Sequence, residues 1–175
     1  MLELAIRAFT TFFATIGPVD VAALFAVLSA SAGGKQRRSM ALKGTLIATA
    51  LLLSFILFGA EVLRWMGISL PALRTAGGIL LLLMAIDMVF ARPSGMTSTT
   101  VAETSEAEHK PDISVFPLAT PLIAGPGALG AAVLLAAEAQ PDWVLEALVI
   151  AALLVVMAIT LALLLIAAQL HRFLG

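Results

Sequence analysis

Five stretches of this 175-residue chain are apolar over the length a helix needs to cross a bilayer. A hydrocarbon core about 30 Å thick takes roughly 20 residues at a rise of about 1.5 Å each. The stretches run from about Leu4 to Ala30, Ala41 to Leu63, Leu73 to Ala91, Ile113 to Ala137 and Trp143 to Leu170. Only 12% of the residues are charged and 61% are hydrophobic, where soluble domains carry about 25% charged residues. The expected fold is therefore all-α, a polytopic transmembrane helical bundle whose first partner is the lipid bilayer. Trp65 and Trp143 fall at the ends of stretches, where an aromatic belt meets the interface. The opening run is too long for a signal-peptide core and reads as a first span.

Several function classes drop out. A net charge of −1 offers no basic surface for nucleic acid. The absence of cysteine removes disulfides, thiolate nucleophiles and cysteine metal sites. His109 and His171 lie in separate polar edges, so no metal site is expected. Gly125-Pro126-Gly127-Ala128-Leu129-Gly130 matches G-x-G-x-x-G, but no strand precedes it and no βαβ unit surrounds it. Asp20 and Asp87 lack the glycine motif of aspartyl intramembrane proteases. The expectation is a protein that is not an enzyme and holds no cofactor.

Lysine and arginine set the orientation. Lys35, Arg37, Arg38, Lys43, Arg92, Lys110 and Arg172 fall on one side, against Arg7, Arg64 and Arg74 on the other. The N-terminus is predicted outside, with residues 31–43 and 92–112 cytoplasmic. Residues 93–112 are Ser/Thr-rich and then acidic, the composition of a solvated linker. They divide a single membrane domain, 1–175, into a first half of three helices, 1–92, and a second half of two, 113–175.

Two helix-breaking clusters interrupt the first and fourth stretches. One is Gly17-Pro18 with Asp20; the other is Pro117, Pro121, Gly125, Pro126, Gly127 and Gly130. A broken helix in lipid leaves backbone groups unmet, at several kcal/mol each, unless protein or a watered cavity satisfies them. Three spans per half would point the two broken helices in opposite directions, an inverted-topology repeat, and matched breaks of this kind mark transporter binding sites. The plainer reading is that glycine lets helices pack closely.

The candidate substrate- or ion-binding residues are Thr15, Gly17, Pro18, Asp20, Thr120, Pro121, Gly125, Pro126 and Gly127, with Asp87 secondary. Asp20 is the deepest charge, about 15 Å along the helix from the nearest polar loop. A carboxylate at that depth defaults to a functional hypothesis, a proton or cation site or a partner for a substrate amine. It also suits the first turn of a helix restarted at Pro18. Thr15 and Thr120 could ligate a solute or bond back to helix carbonyls. Amides freed after Pro18 and around Gly125–Gly127 would open helix segments whose positive ends favour an anion. Asp87 and Arg74 read as interfacial groups, and Glu61 with Arg64 as an i,i+3 pair.

The runs Gly67-Ile68-Ser69-Leu70-Pro71-Ala72-Leu73-Arg74-Thr75-Ala76-Gly77-Gly78-Ile79-Leu80 and Phe116-Pro117-Leu118-Ala119-Thr120-Pro121-Leu122-Ile123-Ala124-Gly125-Pro126-Gly127 resemble the MarC family of bacterial integral membrane proteins. The resemblance covers nearly the whole chain outside Pro93–Lys110. It implies six helices in two inverted halves, an inner-membrane location, and kinship with lysine-exporter-like transporters, some relatives being described as carriers of small neutral amino acids. Gly17-Pro18, with Asp20 two residues on, stands where the family usually has Asn-Pro or Asp-Pro. The chain ends at Gly175, before the sixth helix the resemblance implies, and a homo-oligomer would be one way to supply its contacts. The functional expectation is a secondary transporter or exporter of a small polar solute; the alternative is a structural or regulatory membrane protein that transports nothing.

Overall fold

A computed structural model describes residues 1–30, 32–90 and 112–174. The described residues are overwhelmingly helical and contain no strand. The elements are α1 (Leu2–Ile16), α2 (Pro18–Leu28), α3 (Gly34–Trp65), α4 (Leu70–Val89), a wound segment (Ser114–Ile123), α5 (Pro126–Ala139) and α6 (Trp143–Leu174). Three helical stretches are long and apolar enough to cross a membrane: Leu2–Leu28 taken across its break, Gly34–Trp65, and Trp143–Gln169. The wound segment and α5, bent by 58° against each other, would make a fourth. Arg92 and residues 93–111 of the linker, with their acidic residues and His109, lie outside the described residues, as do the side chains of Arg74, Asp87, His171 and Arg172.

Local chemistry sets where each element starts and stops. α3 ends in a Schellman turn: Ile68 N–H donates to Leu63 O at 2.9 Å and Gly67 N–H to Arg64 O at 3.1 Å. Gly67 takes φ 72°, a conformation that costs a side-chain-bearing residue and leaves glycine free. α6 opens on Asp142, whose Oδ1 accepts the Val144 N–H at 2.8 Å. The joint between α2 and α3 is closed by Arg37, which is only 6% exposed. Its Nε donates to Ser29 O at 2.7 Å and its Nη2 to Ala30 O. The cation thus meets the carbonyls of the C-cap and the residue after it, at the end of α2 where the helix dipole is negative.

The helices pack around a shared core that includes Phe12, Phe25, Leu52, Leu118, Ile123, Leu153 and Leu164. α6 lies along α1, α2 and α3; α5 packs on α1, α3 and α4; the wound segment rests on α3 and α2. Two glycines on α3 allow the closest approaches. A Cβ at Gly44 would meet Leu118 Cδ2 at 2.6 Å, and one at Gly59 would meet Val133 Cγ2 at 2.7 Å. Small residues at crossings are the ordinary means of helix association in lipid, where apolar burial gives no drive.

Ion pairs register the ends. Arg7 on α1 meets Glu138 on α5 at 3.2 Å. At the opposite end, Lys43 on α3 meets Asp112, just before the wound segment, at 3.6 Å. α1 therefore starts at the end where α5 finishes, and the two interrupted elements run antiparallel. Among the described residues, Arg7 and Arg64 lie at one end and Arg37 and Lys43 at the other.

Candidate functional site

The first break rests on one backbone conformation. Gly17 takes φ 60° and ψ 59°, the left-handed region, and its N–H donates to Phe13 O at 3.1 Å as the cap of α1. Pro18 then occupies the first position of α2, where its missing N–H is no loss. Asp20 follows in that first turn, with the dipole of α2 favouring its charge. Its carboxylate makes no capping bond and is exposed on the helix surface. A Cβ placed on Gly17 would lie 3.3 Å from Asp20 Oδ2, so the carboxylate folds back over the break.

The second break is built by proline. The residue before a proline is driven out of the α region toward extended backbone. Phe116 (φ −126°, ψ 127°) and Thr120 (φ −135°, ψ 131°), each followed by proline, obey that rule. Around each of these points the chain winds loosely, with Leu118 N–H donating to Ile113 O at 3.1 Å and Ala124 N–H to Ala119 O at 2.9 Å, five residues back. Such wide turns are often found at functional sites. Gly125 closes the break because a Cβ there would stand 2.6 Å from Pro121 O. Pro126 opens α5, and Gly127 is buried beside it.

The two breaks lie at similar depth. From the Arg7–Glu138 end, about 15 Å of α1 leads to Gly17 and about 20 Å of α5 to Gly125. α2 packs on the wound segment and α1 on α5, so the interruptions sit on touching elements. α2 and α5 both begin at the breaks, and their positive ends point in opposite directions across the bundle.

The hydroxyls take the local option. Thr15 Oγ1 donates to Thr11 O at 2.8 Å, and Thr120 Oγ1 to Val115 O at 3.4 Å. Asp87 lies on α4, outside the elements that carry the breaks, and its side chain is outside the described residues. Among the described residues no group of three metal-capable side chains forms.

Sequence reasoning passed over Thr45 and Ser29. Both are buried, and their hydroxyls have no hydrogen-bond partner. Thr45 follows Gly44, against which the wound segment packs. A threonine in an apolar helix ordinarily bonds to the preceding turn, so nothing in the sequence singled it out. Glu138 was missed as well, because its partner Arg7 is remote in sequence.

The profile of the MarC family integral membrane proteins matches residues 2–175. A UPF0056 membrane protein of Methanocaldococcus jannaschii is 40% identical over 159 residues, 91% of this chain and 76% of the relative. The UPF0056 membrane protein YvbG of Bacillus subtilis is 31% identical over 78% of this chain and 65% of its own length. YhcE of Escherichia coli is 31% identical over 71% and 58% respectively. The chain thus spans between 58% and 76% of the length of these three relatives. No solved structure matches it.

Proposed function

The chain belongs to the MarC family of integral membrane proteins, and from that premise we propose that it is a secondary transporter or exporter of a small polar solute, such as a neutral amino acid, in the cell membrane. One observation carries the proposal: two antiparallel, touching elements, α1–α2 and the wound segment with α5, break at similar depth. This is the arrangement expected of an inverted-topology repeat with five spans in this chain, the third of them α4. Its solute would lie between the opposed helix starts, with a carboxylate toward the amides after Gly17 and Gly125. Asp20, a carboxyl group without a partner among the described residues, is the group for a coupling cation or a substrate amine. Arg37 and Lys43 mark the cytoplasmic end and Arg7 and Arg64 the outer end.

A second reading has observations of its own. Thr15 and Thr120 bond within their own elements, and Gly44, Gly59 and Gly125 all stand at tight contacts. These are what a purely structural bundle would also need. Counterflow of radiolabelled glycine, alanine and serine into proteoliposomes separates the two. Transport predicts accumulation that collapses when the preloaded solute is omitted. No counterflow of any of these, with the protein folded in the same vesicles, favours the structural reading.

A further inference from the structure

We propose that the Arg64 end carries a second, peripheral site, which binds the carboxylate of a small neutral amino acid at the mouth of the bundle. The inference rests on the transport reading for its choice of solute. A cavity of about 260 Å³ opens there, lined by Ala60, Leu63, Arg64, Ile68, Ser69, Ala137 and Gln140. Three elements build it: the last turns of α3, the Schellman turn leading into α4, and the end of α5. Its wall is mostly apolar, with three polar groups placed around it, the usual make-up of a small-molecule site.

Among the described residues, Arg64 is the only cation in that lining. Its Nη1 meets Glu61 Oε2 at 3.3 Å, while Glu61 Oε1 accepts the Trp65 Nε1–H at 3.2 Å. Glu61 is thereby engaged by two donors. A guanidinium carries five N–H donors, so one contact leaves donors for a ligand. A planar fork of that kind matches a carboxylate. The Ser69 hydroxyl and the Gln140 amide supply acceptors for an ammonium group. The aliphatic wall of Ala60, Leu63, Ile68 and Ala137 suits a short side chain and offers nothing to a charged one. The site lies about 20 Å from the breaks along α5, a station on the path rather than its centre.

Trp65 gives a direct readout. With Trp143→Phe, Trp65 is the one remaining tryptophan, and it shares Glu61 with Arg64. Its fluorescence is titrated in phosphatidylcholine nanodiscs with L-alanine, L-alanine methyl ester, or phosphatidylglycerol mixed into the lipid. A saturable response to L-alanine, absent with the methyl ester and at least about tenfold weaker in Arg64→Gln, is the expected result. Arg64→Lys should recover part of it. Because Arg64 is exposed, Arg64→Gln is expected to stay folded, and Ala137→Phe, which fills the cavity while keeping the cation, should also abolish the response. An equal response to the ester, an unchanged titration in Arg64→Gln or Ala137→Phe, or a response to phosphatidylglycerol alone would each overturn the proposal. Counterflow that survives Arg64→Gln without the L-alanine response would remove this site and leave the transport reading standing.

Discussion

At the scale of the residue, conformation and desolvation set the expected costs. Gly17→Ala forces a left-handed alanine at about 1–2 kcal/mol and presses its methyl toward Asp20 Oδ2. The thermal midpoint should fall accordingly. Arg37→Met strips the Ala30 carbonyl of its donor and leaves that of Ser29 with only the Ala32 N–H, and should cost about 1–3 kcal/mol in denaturation. Arg37→Lys should restore only part, since a point charge replaces a fork. Thr45→Val tests the opposite sign. It removes a buried hydroxyl with no partner, so stability should hold or rise. Asp112 gives the pH dependence. Its carboxylate is held below the usual range first by the Ser114 hydroxyl, then by the Ser114 N–H and Lys43. A depressed carboxylate contributes stability above its unfolded value, near about pH 4, and loses it as pH falls through the lower folded value. Asp112 is half exposed and its Lys43 pair is screened, so the effect should be well under about 1 kcal/mol, and Asp112→Asn should abolish it in acid-titrated melting curves. Gly17-Pro18 was legible from sequence because left-handed glycine and helix-starting proline are local chemistry. The Arg37 clamp was not. Arg37 read only as a charge that fixes orientation, because its role depends on how the two helices meet.

At the scale of the element, the wound segment is held by its contact with α3. Gly44 faces Leu118, and the two should behave as one unit. Gly44→Ala alone should destabilise by about 1–3 kcal/mol through overpacking. Combined with Leu118→Ala, the loss should be smaller than the sum of the single changes, because the second substitution vacates the space the first one needs. Additive losses would show that the contact is not the one described. The apolar stretches announced the helices well: α3 and α6 fall within a few residues of their predicted starts or ends. α3 begins seven residues before the expected Ala41, at Gly34, because Lys35, Arg37 and Arg38 are polar yet good helix formers. The fourth stretch was legible as a break and no further. Two X-Pro steps four residues apart predict interrupted backbone, but the wide turns between them depend on what Gly44 allows to approach.

At the scale of the whole molecule, the ion pairs set the relative direction of the two broken elements. Arg7–Glu138 and Lys43–Asp112 fix opposite ends of the bundle, and the interrupted elements therefore run antiparallel. Sequence charge counts anticipated which residues share an end; they could not show that α2 touches the wound segment. The geometry also decides which variant best tests transport. Gly125→Ala would collide with the Pro121 carbonyl and lower stability whatever the protein does. Asp20 is exposed and unbonded among the described residues, and asparagine keeps its size and shape while replacing one acceptor oxygen by an amide NH2. The most direct test is therefore counterflow by Asp20→Asn in proteoliposomes, measured beside its thermal midpoint. Flux lost with the midpoint retained is the result transport through the breaks predicts. Flux equal to that of the unmodified protein would contradict it.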